Sequence, residues 1–176
     1  NWDRTFSVTW GGVYLGCRVF LPFVVAAPEG LIVNTSSVNG FYASFGKGRP
    51  HTAYSTAKFA VKGFTEALME DLEVNAPHVR AAVVMPGHIG TQIITNSMHA
   101  RAIEPTPEEA ELQLLAAQQF ETLAPMTGEE AATVILDAVK AGTWRILVGA
   151  DAHELDEAVR ADPESAYERD LFRLLG

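Results

Sequence analysis

The stretch LIVNTSS, residues 31–37, decides the fold class of this chain. Leu31 to Asn34 form a short, almost wholly apolar run with β-branched residues, which follows Gly30 and precedes three hydroxyl residues. A run without apolar–polar alternation predicts a strand buried on both faces, as in the parallel sheets of α/β proteins.

Further strands and helices alternate with this strand. Two more apolar runs, Val79 to Met85 and Trp144 to Val148, predict a second and a third strand. Thr106 and Thr127 each stand three residues before a Glu, which is typical of a capping box at a helix start. Apolar periodicity predicts helices at 2–20, 54–72, 106–123, 127–139, 153–160 and 167–175. The alternation indicates an α/β fold with parallel strands.

Composition excludes several classes of protein. The chain has 176 residues, of which 48% are hydrophobic and 20% charged, enough apolar material for one globular domain. Thirteen Lys and Arg against 22 Asp and Glu give a net charge of −9 without a basic run, which argues against binding nucleic acid or an anionic membrane. The single cysteine, Cys17, has no partner for a disulfide, so we expect a reducing compartment, by default the cytoplasm. The scattered histidines predict no metal site.

One segment is apolar enough to suggest a membrane span. It runs from Trp10 to Pro28 but carries Arg18 at its middle, and a central Arg costs roughly 2.5 to 3.5 kcal/mol on the mildest insertion scale. We therefore predict a buried amphipathic helix that Pro22 helps to end, and no membrane span.

Tyr54 and Lys58 are the first candidate site residues. They stand four residues apart on a predicted helix, which places both side chains on one face. An ammonium beside a phenol favours the phenolate, so this spacing predicts a lowered Tyr54 pKa and a usable general acid or base. The same spacing also occurs on solvated helix faces, and the pair alone does not separate the two interpretations.

Ser36 and Ser37 follow the first strand directly. Successive residues of an extended strand point to opposite faces, so at most one of the two hydroxyls reaches a site above the strand end. Alternatively, both serines cap backbone amides.

The order of three motifs resembles that of the short-chain dehydrogenase/reductase family. A strand ends in Asn34-Thr35-Ser36-Ser37, a helix contains the Tyr54–Lys58 pair, and a strand runs into Pro86-Gly87-His88-Ile89-Gly90-Thr91. The resemblance implies hydride transfer between NAD or NADP and an alcohol or ketone, in a Rossmann-like doubly wound parallel sheet.

The resemblance also implies the roles of individual residues. Tyr54 would exchange the hydroxyl proton, and Ser37, the second serine of the pair, would hydrogen-bond the substrate oxygen. Lys58 would lower the Tyr54 pKa and, with Tyr54, hold the nicotinamide ribose. The loop after the second strand would hold the carboxamide, through Pro86, Gly87, Ile89 and Thr91.

The chain departs from the family pattern at two places. Thr9 stands where the family usually carries an active-site Asn, and a hydroxyl lacks the separate donor and acceptor of an amide. The family's Gly-rich turn, which binds pyrophosphate at a helix N-terminus, does not occur in the sequence. We therefore expect residues 1–176 to be the C-terminal part of a single NAD(P)-binding domain, with about three strands, in a longer parent protein. The alternative is a catalytically silent binding or assembly module.

The resemblance and the apolar residues of region 92–125 also lead to expectations about oligomeric state and substrate. The resemblance implies a homodimer or homotetramer, formed through helices 2–20 and 54–72. The region 92–125 corresponds to the family's substrate lid, and its apolar residues predict a hydrophobic alcohol or ketone unless they only seal a helix against the sheet. These residues are Ile93, Ile94, Met98, Leu114, Leu115 and Phe120. We interpret His88 as a loop contact rather than a catalytic group. His153 and the acidic residues near it, Asp151, Glu154 and Asp156, are interpreted as a solvated turn.

Overall fold

The computed structural model describes residues 2–46, 49, 51–99, 105–168 and 171. Its main sheet has three parallel strands in the order β1-β2-β5, formed by β1 (Gly30–Thr35), β2 (Val79–Pro86) and β5 (Arg145–Val148). The register pairs Thr35 with Val84 and Pro86 with Val148, so the carboxyl ends of the three strands lie at one edge. Two short strands, β3 (Ile89–Gly90) and β4 (Met126–Thr127), form a separate parallel pair. The three predicted strands are confirmed.

The helices connect these strands. Their bounds are α1 (Trp2–Phe6), α2 (Gly12–Ala26), α3 (Thr52–Asn75), α4 (Ile93–His99), α5 (Pro107–Thr122), α6 (Gly128–Lys140) and α7 (Ala150–Ala161). A π-helical turn, Ser7–Gly11, joins α1 to α2, and a 3₁₀ turn, Val38–Gly40, follows β1. Both predicted capping boxes are present, at Thr106 and at Thr127. Of the predicted helix at 167–175, residues 167–168 lie in a turn, and 169–170 and 172–176 lie outside the described residues.

The sheet is covered on both faces along β2, where residues 81–85 are all buried. β1 lies at the edge of the sheet, and only Asn34 of this strand is buried, whereas Val33 is 39% exposed. The prediction that Leu31 to Asn34 are buried on both faces is therefore wrong. Ala81 packs in a cluster with residues of α2 and α3, such as Val24 and Leu72. The next residue of β2, Ala82, and Ile146 of β5 pack against α6 on the opposite face. On β5, Leu147 packs against the cluster that contains Leu155 of α7. This alternation confirms the α/β, Rossmann-like doubly wound architecture.

The N-terminal helix differs from the prediction in length and burial. It continues through Pro22 to Ala26, so Pro22 does not end it. The carbonyl that loses its partner to Pro22 belongs to Arg18, an exposed residue, where water can satisfy it. Only Cys17 of α2 is buried, whereas Phe20 and Phe23 are largely exposed, so the prediction of a buried helix is wrong. Among the described residues, Trp2–Ala26 is the one helix whose length and hydropathy would allow it to cross a membrane, a test that core helices and signal sequences also pass.

Candidate active site

The carboxyl ends of β1 and β2 bring the candidate residues to one edge of the sheet. The backbone N–H of Ser36 donates to the Val84 carbonyl at 2.7 Å and extends the β1–β2 pairing by one residue. Ser37 follows in extended conformation, before the 3₁₀ turn. In parallel α/β sheets this edge is where ligands bind.

The two serines point to different partners, as the alternation along an extended strand requires. Ser36 Oγ donates to the backbone carbonyl of Lys58 at 2.7 Å and ties the strand end to α3. The Ser37 side chain lies near enough to Tyr54 to lower the pKa of its hydroxyl, and Ser37 Oγ accepts from the Asn39 backbone N–H at 3.1 Å. Ser37 is therefore the hydroxyl that lies with Tyr54.

Tyr54 lies in the first turns of α3 with its ring half-buried. Desolvation by burial raises the pKa of Tyr54 above its usual value of 10.0, and the hydrogen bond from Ser37 acts in the opposite direction. The sequence predicts a lowered pKa, so the direction found is the reverse. The physical reason is that burial penalises the phenolate, while the nearby ammonium of Lys58 is directed elsewhere.

Lys58 lies one turn after Tyr54 on the same face of α3. Its Nζ donates to the Thr35 carbonyl at 2.9 Å and lies 5.6 Å from the centroid of the Tyr54 ring. Burial lowers the pKa of the Lys58 ammonium from 10.5 to about 8. The ammonium is thus bound to the end of β1, near the Tyr54 ring but not to its hydroxyl.

A buried polar chain anchors β1 to the helices behind it. Asn34 donates through Nδ2 to Thr65 Oγ1 at 3.0 Å and accepts from the Cys17 thiol at 3.6 Å. Thr65 in turn donates to the Val61 carbonyl at 2.7 Å. Asn34, Thr65 and Cys17 are all buried, so this chain fixes where β1 ends relative to α3. Sequence reasoning did not identify it; the signal available was the polar residue Asn34 in an otherwise apolar strand.

The loop after β2 lies beside this cluster at the end of the sheet. The Gly87 N–H donates to the Val148 carbonyl at 2.9 Å, and the His88 N–H donates to Asp151 Oδ2 at 2.6 Å. The His88 ring lies 4.2 Å from that of Phe120, and its Nε2 is 2.7 Å from the Phe120 carbonyl. The loop then enters β3, where Ile89 pairs with Met126. Of the predicted loop residues, Ile89 is buried, Pro86 and Gly87 are half-buried, and Thr91 is exposed.

Residues 151–156 lie in α7 rather than in a turn, and of the predicted solvated group His153 and Glu154 are exposed, whereas Asp151 and Asp156 are not. Asp151 is 7% exposed and Asp156 is 8% exposed. Asp156 binds Arg145 through two hydrogen bonds and Arg160 through a third, 2.9 Å long. Both carboxylates are buried because each has a donor on a neighbouring element, which helical periodicity does not reveal.

Thr9 lies inside the π-helical turn, Ser7–Gly11, and is half-buried. In the described part of the chain its side chain has no hydrogen bond to Ser37, Tyr54 or Lys58. The next residue, Trp10, packs its ring edge-on against Phe64 of α3 at 5.3 Å. Widened turns of this kind often occur at functional sites, and this one places Thr9 on the helix that packs against α3.

The predicted lid residues are only partly packed. Ile93, Leu114 and Leu115 are each about half exposed, with values of 47%, 51% and 51%. Ile94, Met98 and Phe120 are half-buried, and residues 100–104 between α4 and α5 lie outside the described residues. The exposed leucines of α5 therefore do not merely seal that helix against the sheet.

Two surface grooves lie away from this edge of the sheet. One, of about 250 Å³, lies at the opposite end of the strands near Arg80 and Trp144. The other, of about 300 Å³, lies between α2 and β1. Neither is lined by Tyr54 or Lys58. No group of three or more His, Cys, Asp or Glu suited to a metal ion occurs within the described residues.

Comparison with known proteins gives consistent results. The family model for short chain dehydrogenase matches residues 1–102. A Mycobacterium tuberculosis protein that carries the name of an oxidoreductase, SadH, is 37% identical over 168 residues, 95% of this chain and 56% of its own length. This chain thus spans about half the length of the curated relatives it matches.

Solved structures share the fold. A short chain dehydrogenase/reductase from Burkholderia phymatum, crystallised in complex with NAD, superposes with a TM-score of 0.73 at 24% identity, covering 96% of this chain and 59% of that one. A short chain dehydrogenase from Burkholderia cenocepacia in complex with NADP gives a TM-score of 0.66 at 24% identity, over 97% and 57% of the two chains.

Proposed function

This chain belongs to the short-chain dehydrogenase/reductase family, and from that premise we propose that it supplies the proton-transfer residues of an oxidoreductase that uses NAD or NADP and acts on an alcohol or ketone. The observation that carries the proposal is that Lys58 Nζ lies 5.6 Å from the Tyr54 ring centroid, at the end of the strand that also presents Ser37 to Tyr54. Few structural roles require a serine, a tyrosine and a partly buried lysine together at the carboxyl edge of a parallel sheet.

The proposed mechanism assigns one proton to Tyr54. In ketone reduction, the Tyr54 hydroxyl gives its proton to the carbonyl oxygen as that oxygen becomes a hydroxyl, and in alcohol oxidation the phenolate takes it back. Ser37 orients the same oxygen by donating a hydrogen bond. The pKa of Tyr54 is raised above 10.0, so at neutral pH its hydroxyl is in the protonated form that ketone reduction requires.

The donor groups at this edge suit a nicotinamide dinucleotide. The Lys58 ammonium and the Tyr54 hydroxyl can hold ribose hydroxyls, and the loop of Pro86, Gly87, Ile89 and Thr91 offers backbone groups for a carboxamide. When bound, the dinucleotide supplies or accepts the hydride. The residues named here would hold its nicotinamide end, and the choice between NAD and NADP stays open.

The substrate and the assembly are proposed from the exposed apolar surface. Half-buried Ile94 and Phe120 near the loop favour a hydrophobic alcohol or ketone. Exposed Phe20 and Phe23 on α2, with Phe59 on α3, favour a homodimer or homotetramer formed through these helices. We propose a cytoplasmic enzyme.

The test compares Tyr54→Phe and Ser37→Ala with Ser36→Ala in the full-length protein. General acid–base catalysis contributes about 10² to 10⁴ in rate, so we expect kcat to fall by about that factor in Tyr54→Phe while dinucleotide binding stays measurable. Ser37→Ala should also lose turnover. Ser36→Ala is the matched control, because its hydroxyl binds the Lys58 carbonyl rather than Tyr54, and it should lose stability instead.

Thr9 favours a second candidate, a catalytically silent binding or assembly module. A threonine provides only part of the hydrogen bonding of the family's usual Asn. The same experiment separates the two candidates. A wild-type protein without turnover on any alcohol or ketone would favour the module, and full activity in Tyr54→Phe would refute the role assigned to Tyr54.

A further inference from the structure

Asp151 is a buried carboxylate that the proposed reaction does not use. It lies in the first turn of α7, next to Gly149, and is 7% exposed. Oδ2 accepts the backbone N–H of His88 at 2.6 Å, a short bond of the charge-assisted kind. Within the described residues, Oδ1 has no hydrogen-bond partner. A buried carboxylate with a single partner is costly, so its presence calls for a reason.

The glycine before His88 is fitted to this carboxylate. A Cβ at Gly87 would overlap both oxygens and the carboxyl carbon of Asp151. Gly87 has an ordinary backbone conformation, so close approach rather than backbone freedom requires glycine there. The carboxylate thus lies directly against the Pro86-Gly87-His88 backbone.

Gly149 is fitted to the same carboxylate. It adopts a φ of 101°, a region that favours glycine, and a Cβ there would overlap Asp151 Oδ1. The chain therefore has glycine at two positions that accommodate one acidic side chain. The N-terminal turn of α7 also favours a negative charge at this position.

Four contacts among the described residues hold the loop. The Gly87 N–H binds β5, the His88 N–H binds Asp151, the His88 ring contacts Phe120 at the end of α5, and Ile89–Gly90 pair with β4. Asp151 is the side chain among these contacts that binds the loop backbone directly, at His88 between the main sheet and β3.

We propose that Asp151 is a positioning residue, which holds the Pro86–Thr91 loop in the conformation that receives the nicotinamide end of the dinucleotide. The proposal rests on the proposed function, since it concerns the loop assigned to the carboxamide. Asp151 acts through the His88 amide and does not itself touch substrate or dinucleotide. Without Asp151, the loop keeps its other contacts, but its backbone groups lose the fixed direction that the hydrogen bond to His88 gives them.

The test uses Asp151→Asn and Asp151→Ala in the full-length protein, with Asp156→Asn as the matched control. Asp156 lies on the same helix and is equally buried, but it binds Arg145 and Arg160 rather than the loop. The measurements are Kd for NAD(H) and NADP(H) by fluorescence titration, KM and kcat for dinucleotide and substrate, and hydrogen exchange of the His88 amide without ligand.

We expect Asp151→Ala to raise Kd and KM for the dinucleotide by about tenfold, the factor that about 1.4 kcal/mol represents. Asp151→Asn keeps an acceptor but loses the charge, so its increase should be smaller. Both should speed exchange of the His88 amide and change kcat less than KM. Asp156→Asn should lower the melting temperature without changing Kd.

The outcomes separate this proposal from the proposed function. Unchanged Kd in both Asp151 variants, or an equal rise in Asp156→Asn, would overturn the positioning role. A wild-type protein that binds the dinucleotide but has no turnover would refute the proposed function. The comparison of Kd values would then still decide whether Asp151 positions the loop. Should Asp151→Ala not fold, Asp151→Asn and the exchange rate of the His88 amide give the answer.

Discussion

Replacing Lys58 by Met should change how the stability of the protein depends on pH. Burial lowers the pKa of Lys58 from 10.5 to about 8. At about 1.36 kcal/mol per pKa unit, keeping the ammonium charged in the folded state costs on the order of 3 kcal/mol at neutral pH. Met has a similar unbranched shape and no charge, so it removes this cost at every pH.

The sign follows from the protons bound in each state. Between pH 8 and 10.5 the unfolded chain holds the Lys58 proton more tightly than the folded chain, so the free energy of unfolding rises with pH in that window. For these two pKa values, the gain between pH 7 and pH 9 is about 1.4 kcal/mol. Tyr54 does not interfere, because its pKa is raised above 10.0.

The assay is urea unfolding of the wild type and Lys58→Met at pH 7 and pH 9, without dinucleotide. The difference between the two proteins should shift by about 1.4 kcal/mol in favour of the wild type at pH 9. Lys62→Met is the matched control, because Lys62 lies one turn further along α3 and pairs with Glu66 at 2.8 Å on the surface. A difference that is the same at both pH values would refute the assigned state of Lys58.

Two further predictions concern stability. Burial raises the pKa of Asp156, but hydrogen bonds and charge from Arg145 and Arg160 outweigh it and hold this pKa below its usual value of 3.8. The stabilisation from Asp156 is therefore present above that pH and is lost as pH falls through the lower folded pKa. Urea unfolding at pH 6 and pH 3 should show a larger loss of stability on acidification in the wild type than in Asp156→Asn. Gly40→Ala should destabilise the protein by about 1 to 3 kcal/mol in thermal unfolding, because a Cβ there would overlap Ser36 Oγ and lie 2.9 Å from the Lys58 carbonyl oxygen. Gly63→Ala, in open space on α3, should instead stabilise it by up to about 1 kcal/mol. Equal effects of the two substitutions would contradict this reasoning.

The strands could be predicted because each is an apolar run without a polar face. The runs at Leu31, Val79 and Trp144 are all strands in the structure. Burial on both faces explains the run of β2, but not that of β1, of which only Asn34 is buried. The capping boxes at Thr106 and Thr127 could also be predicted, because a capping box depends on two residues only three positions apart. Local patterns therefore identified the elements that local interactions and simple burial determine.

The failures share a cause in contacts between distant parts of the chain. From the sequence, Asp151 and Asp156 were predicted to lie on the surface. Their burial depends on hydrogen bonds from His88 and Arg145, which the local sequence pattern does not show. The pKa of Tyr54 depends on how deeply its ring is buried and where the Lys58 ammonium points, and spacing on a helix gives neither. Pro22 was expected to end α2, but the helix continues to Ala26; the residue whose carbonyl loses its partner, Arg18, is exposed.

The π-helical turn at Ser7–Gly11 lets this segment hold one residue more than a regular helix without changing the directions of the helices on either side. A π-turn holds about one residue more than an α-turn, and both bring the chain once around the axis. Loss of a single codon between residues 7 and 11 would therefore restore regular α-helical winding and leave α1 on the side on which it packs against α3. The change would be confined to the turn that carries Thr9, so in evolution this helix can lose one residue here while its packing partners stay in place.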